Sequence, residues 1–446
     1  MLDVHEICER SIKVSNADQT EAFCINARMR NFYVENGEIK LVTDNSWVGL
    51  GVKTIVDKRI GYYGSTIKDE KDIEKIVKNS IDIAKVSPID PNFKSLPEPR
   101  EISGSIDGVY DTNLSSLEVT DVTERIDELI NVAQEKEVRV MTGLLRLTEY
   151  KFNVMNSLGI DFQHQGTMVY LHFTGKKEKG EGIVKRFNTI LDKIDFREAG
   201  NELKDKTLLA SEAKSFSGKE ELEVIIDPME LPGLLNVITT ATNGEYINRK
   251  MSPWIGKLGE KVASENLTVI DDGRIREGLL SALADDEGVP TSRKLILEKG
   301  ILKNYLFDSY NAGIYGTEST GNGLRRGTTS IENIHLSPTR CGALNVIIET
   351  GNKSFDDLIS EMDKGLLIYK FAYPYADPIT GNFGLEVRNA ALVEHGSITI
   401  SIKHAILAGN MYKALNNVTG LGRKRYNVLN YKTPYIRFGS LELVGL

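Results

Sequence analysis

The sequence predicts an α+β protein: an N-terminal α/β domain with a mixed sheet, a central α+β segment, and a β-rich C-terminal domain with one prominent helix. Three observations predict it. Apolar residues recur at helical spacing in only a few stretches, among them Ile73 to Ala84, Val119 to Ala133 and the segment after Asp227-Pro228. Between them lie alternating runs broken by hairpin-type turns at Asn36-Gly37 and Asn156-Ser157-Leu158-Gly159. Beyond Leu222, short apolar runs separated by turn residues dominate.

The first predicted domain, residues 1–93, reads as a helix, a β-meander and a second helix. From Glu21 to Val42 two strand-like runs flank Glu35-Asn36-Gly37-Glu38, and Asn-Gly tolerates the positive φ of a tight hairpin. Trp47 to Val52 and Gly61 to Gly64 supply further strands, joined at Asp57-Lys58-Arg59. Ser65 or Thr66 is the expected cap of a helix whose apolar face carries Ile73, Ile76, Val77, Ile81 and Ala84 and which stops before Pro88.

The connection from Pro88 to Pro99 marks the first boundary. The second domain, residues 105–212, holds an amphipathic helix with Val119, Val122, Ile126, Leu129, Ile130 and Ala133 on one face. Strands Arg146 to Val154 and Thr167 to Phe173 follow. The charged, breaker-rich stretch Ser211 to Glu221 reads as a second linker. The third domain, residues 221–446, carries strand runs at Val224 to Ile226, Leu295 to Leu297, Leu344 to Ile348, Ala390 to Val393 and Ser397 to Ile400.

The chain has 446 residues, 41% hydrophobic and 26% charged, as in an ordinary folded protein. Its formal net charge of −8 argues against a nucleic-acid partner, which needs a basic footprint. Arg325-Arg326 and Arg423-Lys424-Arg425 are local basic clusters, and both are expected on solvated loops. No apolar run reaches the ~20 residues that span a bilayer, so no membrane partner is expected. The N-terminus lacks an apolar signal core, and Cys8, Cys24 and Cys341 form no pairing framework. A cytoplasmic location is the expectation.

Candidate chemistry is sparse. In Asp285-Asp286-Glu287 only the outer two carboxylates share a strand face, and Gly288 and Pro290 make the segment a turn. Bonding to local backbone amides is the preferred role, with a hard-cation site as the alternative. His5, His164, His172, His335, His395 and His404 are scattered, and Cys341 has no evident partner for nucleophilic catalysis. There is no G-x-S-x-G elbow and no P-loop.

A set of motifs in order carries a resemblance: V-E-N-G-E-I-K (Val34 to Lys40), G-Y-Y-G-S-T (Gly61 to Thr66), A-D-D-E-G-V-P (Ala284 to Pro290), E-K-G-I-L-K-N-Y-L-F-D (Glu298 to Asp308), S-T-G-N-G (Ser319 to Gly323), D-P-I-T-G-N-F (Asp377 to Phe383) and L-A-G-N-M (Leu407 to Met411). The chain resembles the TldD/PmbA family, called modulators of DNA gyrase, and within it the PmbA/TldE-like branch. The TldD branch consists of zinc metallopeptidases with an H-E-x-x-x-H helix followed by N-R-K. Counting back from Asn248-Arg249-Lys250 places those positions on Asn236, Val237 and Ala241; counting forward from Pro232-Gly233 gives Val237, Ile238 and Thr242.

Neither set can hold zinc or activate water, since such a site needs His, Cys or carboxylate donors and a general base. After Arg423 no cysteine replaces the family's C-terminal ligand. The resemblance therefore implies no catalytic residues and no metal in this chain, with zinc expected only in a TldD-like partner. It implies a non-catalytic subunit of a peptidase for unfolded peptides, dimeric with that partner or with itself. Ser319, Thr320, Gly321, Asn322 and Gly323 are candidates to line a channel that holds peptide as an added strand. A stand-alone homodimeric peptide-binding protein is the alternative. A peptidase with a non-standard metal site built from Asp285, Glu287 or the histidines is a second.

Overall fold

The computed structural model describes residues 3–445. Helix α1 (Val4–Val14) starts at Asp3, whose side chain forms a capping box with Glu6. Strands β1 (Gln19–Glu35), β2 (Glu38–Val56) and β3 (Arg59–Thr66) form the meander, and α2 (Glu70–Val86) follows. Both hairpin turns have consecutive positive φ angles, 52° and 76° at Asn36-Gly37 and 48° and 59° at Asp57-Lys58. The cap of α2 is Asp69, paired with Asp72 in a capping box, rather than Ser65 or Thr66. Those two residues remain in β3, where they pair with Leu50 and Gly49.

Helix α3 (Val119–Ala133) leads to β4 (Arg139–Asn156), β5 (Asp161–Lys177) and β6 (Gly180–Asn188), then α4 (Phe196–Ser211). The six strands form one sheet in the order β3-β2-β1-β4-β5-β6. Strands from 1–93 and from 105–212 thus meet where β1 pairs with β4, from Glu21↔Asn156 to Glu35↔Thr142. The N-terminal sheet, expected to be mixed, is antiparallel throughout. Parallel pairs lie instead in the C-terminal sheets.

Alternation sorts the two faces of this sheet. Ala22, Cys24, Phe32 and Val34 of β1 point toward the four helices. Phe23, Ile25 and Ala27 point the other way, against Leu279, Ala282, Ile331 and Ile334 of the C-terminal region. The sheet is covered on both sides along much of β1, while the first half of β2, from Glu38 to Ser46, stays largely exposed.

The C-terminal region is built on a closed barrel. Strands Lys364–Phe371, Lys219–Ile226, Ile436–Gly445, Ala405–Asn410 and Asn382–Glu394 pair in that order, and the last returns to the first. A second six-stranded sheet stands beside it. The prominent helix, α5 (Leu231–Thr242), packs into the barrel core, and shorter helices occur at Gly244–Asn248, Ser309–Tyr315, Phe355–Ser360 and Met411–Asn416. The α+β class is what the chain shows.

The stretch expected to be a linker is ordered: Lys214-Ser215 pairs with Ile402-Lys403, and Phe216 joins the barrel core. Among the described residues, no helix is long and apolar enough to cross a membrane.

Candidate functional site

Asp227 sets the entry to α5, accepting from Met229 N at 2.8 Å while Pro228 opens a helical turn. Along α5 the apolar side chains Leu234, Leu235, Val237, Ile238 and Ala241 go into the core. Asn236, Thr239, Thr240 and Asn243 recur at the spacing of one helical stripe and face a hollow of about 240 Å³. Cys341, Gly342, Ala343, Asn430 and Tyr431 close it.

Of the positions that match the zinc motif, only Asn236 lies on this stripe. Val237 and Ala241 are fully buried, as are Ile238 and Thr242 of the alternative count. A helix turns 100° per residue, so positions one and five beyond Asn236 swing toward the core.

The polar atoms of the stripe serve the helix and its neighbours. Thr239 Oγ1 donates to Asn236, and Asn243 Nδ2 donates to the Cys341 carbonyl at 2.8 Å. The Cys341 thiol donates to Leu306 O at 3.0 Å, and burial, then the charge of Asp308, pushes its pKa far up. The lining offers amides, hydroxyls and a single thiol, fewer than the three His, Cys or carboxylate donors a catalytic zinc takes. Among the described residues, no three His, Cys, Asp or Glu side chains are grouped to hold a metal.

The segment Ser319–Gly323 is placed beneath this hollow's wall as a brace. Ser319 Oγ donates to Phe307 O, and Thr320 Oγ1 accepts from Phe307 N. Asn322, fully buried, donates to Asp271 Oδ2 and Gly342 O at 2.8 and 2.9 Å. Gly321 has φ +70°, and a Cβ there would stand 2.4 Å from Pro290 O. Gly323-Leu324 then pairs with Arg340-Cys341. Residues 319 to 323 therefore hold the strand that carries Cys341.

The three adjacent carboxylates diverge. Asp285 accepts from the amides of Glu287, Val289 and Gly323, a turn-bracing role. Burial, reinforced by the charge of Glu287, raises its pKa well above the usual range. Asp286 accepts from the amides of Arg325 and Arg326 and from Arg326 Nε at 2.7 Å. Glu287 accepts from Ser309 N and Thr339 Oγ1.

Arg325 and Arg326 correct the expectation of a solvated loop. Both side chains are 1% exposed, Arg325 on Glu21 at 2.6 Å and Arg326 on Asp286. Nothing in the local sequence announces partners so distant along the chain. The histidines stay apart. His335 lies over a cradle of Gly49, Gly51 and Gly64, and burial lowers its pKa to about 4. His164 packs among Phe152, Phe162 and Tyr150. His5 pairs with Asp161, and exposed His395 with Asp363.

An antiparallel sheet packed through one face against a C-terminal region built on a closed barrel defines the architectural class. The description PmbA/TldA metallopeptidase C-terminal domain matches residues 219–445, and PmbA/TldA metallopeptidase domain 1 matches residues 20–84. The chain belongs to the PmbA/TldD metallopeptidase family.

It is similar to TldE from Thermococcus kodakarensis, with 27% identity, 99% of each chain covered and a TM-score of 0.86. It is 24% identical to metalloprotease PmbA of Escherichia coli O157:H7, over 92% of this chain and 88% of that protein. A metalloprotease TldD homolog of Buchnera aphidicola is 25% identical over 94% of this chain and 87% of its own length.

Proposed function

We propose that the chain is a metal-free, TldE/PmbA-like subunit that works in the cytoplasm beside a TldD-like metallopeptidase. It forms part of the chamber that admits unfolded peptides and braces the partner's zinc site. One observation carries this reading: the open stripe of α5 offers Asn236, Thr239, Thr240 and Asn243 where a peptidase needs imidazole, carboxylate and a base. The similarity to TldE over nearly the whole chain supports it. Retention of the fold after loss of the chemistry fits a partner kept for its interface.

Co-expression with a TldD-like subunit tests it. The expected result is a stable complex with zinc in the partner alone, and peptide cleavage that exceeds that of the partner by itself. Absence of a complex together with a fully active solitary partner overturns the reading. So does stoichiometric zinc in this chain whose removal abolishes cleavage.

A further inference from the structure

Cys341 also lines a larger hollow, about 720 Å³, in the size range of small-ligand sites. It opens between the N-terminal sheet and the C-terminal region. Ile60 of β3, Phe93, Leu96 and Pro97 of the following connection, and Ile314 of the helix Ser309–Tyr315 give it an apolar wall. Lys53, Glu287 and Asp308 form its polar floor.

The charges of this floor do not cancel. Lys53 Nζ sits 3.4 Å from Glu21 and 4.0 Å from Glu287, and both Glu287 oxygens accept hydrogen bonds. Arg249 at the rim is paired with Glu245 at 2.9 Å. Tyr310 donates to Asp90, and the Cys341 thiol is turned to Leu306 O. Arg340, on the rim, is exposed.

Asp308 is different. It is only 4% exposed, and its Oδ1 caps the helix by accepting from Asn311 N and Nδ2 at 2.9 and 2.8 Å. Among the described residues its Oδ2 has no hydrogen-bond donor, and no cation reaches it within 4.0 Å. Asp308 lines the cleft, so this oxygen is left to the solvent there, and a cation that enters meets an anionic acceptor that no protein donor occupies. Too few donors converge here for a metal, and the adjoining wall is hydrocarbon.

We propose that this cleft binds a compact primary ammonium with an apolar substituent, the ammonium on Asp308 Oδ2 and the substituent against Ile60, Leu96 and Ile314. Burial, and then the neighbouring charge of Glu287, lift Asp308 to about 6, and a bound cation would reverse that shift. The proposal does not rest on the pairing with a peptidase. The same chemistry belongs to a free amine or to the amino terminus of a peptide that begins with an apolar residue.

Titration calorimetry on the purified full chain tests it, with leucinamide, N-acetyl-leucinamide, and the tripeptide Leu-Gly-Gly with free and acetylated amino termini. Leucinamide or the free tripeptide is expected to bind, and acetylation to weaken binding at least about tenfold. The tighter of the two free probes identifies the natural source. Asp308→Asn keeps the helix cap and is expected to weaken binding about 10- to 100-fold.

Affinity falls in the native chain between about pH 7 and about pH 5, as Asp308 takes a proton, and Asp308→Asn removes that fall. Ile314→Ala, a change at a half-exposed rim residue, lowers affinity a few-fold without touching the charge. Equal binding of acetylated and free probes, unchanged binding by Asp308→Asn, or saturable uptake of calcium or zinc in place of amine overturns the proposal.

Discussion

Arg325-Arg326 and Arg423-Lys424-Arg425 look alike as short basic runs beside turns, yet their surroundings are opposite. The first pair is sealed between the N-terminal sheet and the C-terminal region, each guanidinium on its own carboxylate, with Phe23, Tyr62 and Phe152 rings alongside. The second run stays at the surface, where Lys424 lies 5.1 Å from the Tyr426 ring and Arg423 and Arg425 form no ion pair among the described residues. The difference lies in what the fold brings to meet the charge. A carboxylate supplied from another element converts a soluble loop into a structural joint.

The largest way to break this comparison is Arg326→Met. It strands Asp286 in the interior and is expected to destabilise by about 3–5 kcal/mol in urea unfolding. Adding Asp286→Leu should recover only part of the loss, because Asp286 also accepts from two backbone amides that leucine leaves unpartnered. Full recovery would show that the amide bonds matter little.

Next comes Gly64→Ala. Its Cβ would stand 2.0 Å from the His335 carbonyl oxygen, so the loop that carries the arginine pair must shift, at about 1–3 kcal/mol. An unchanged melting temperature would mean that the loop is not seated on β3.

His335 sharpens the contrast through pH. Its folded pKa, about 4, is below the unfolded value near 6.5, so the unfolded chain binds the extra proton. Stability from this group is complete above about pH 6.5 and is lost as pH falls toward about 4. His335→Gln should flatten that limb in denaturation curves taken across the range. The smallest effect is expected at the exposed run, where Arg423→Ala and Lys424→Ala together should stay within about 0.5 kcal/mol.

Much of the fold was legible because short-range signals and long-range needs agreed. Asn36-Gly37 has the positive φ angles its hairpin demands, and the apolar residues of α2 and α3 bury the faces their spacing marks, except Val119 in the first turn of α3, which is exposed. Helix α4 was hidden by its own packing: Gly200 reads as a breaker, but it lies where a Cβ would meet Leu129 O of α3 at 2.6 Å. The buried Lys204, paired with Glu135, disguises the inner face further.

At the candidate site, the residue types Asn236, Val237 and Ala241 could be read directly, but not which of them faces the hollow. The stripe that faces the hollow was not found by counting from flanking motifs, although the 3.6-residue period of Asn236, Thr239, Thr240 and Asn243 displays it. Asp308 was visible only as the end of a family motif. Its place over the cleft follows from the meeting of distant elements, as does the burial of Arg325 beside Glu21.

The seam between β1 and β4 has a consequence for biosynthesis. During translation the β1–β2 hairpin emerges early, but its other flank waits for residues 139–156. At about 5–20 residues per second that delay is on the order of ten seconds. Throughout it, the nascent hairpin shows an open hydrogen-bonding rim and the uncovered rings of Phe23 and Phe32. The ribosome-bound chain is thus most vulnerable to sticking to its neighbours in that interval.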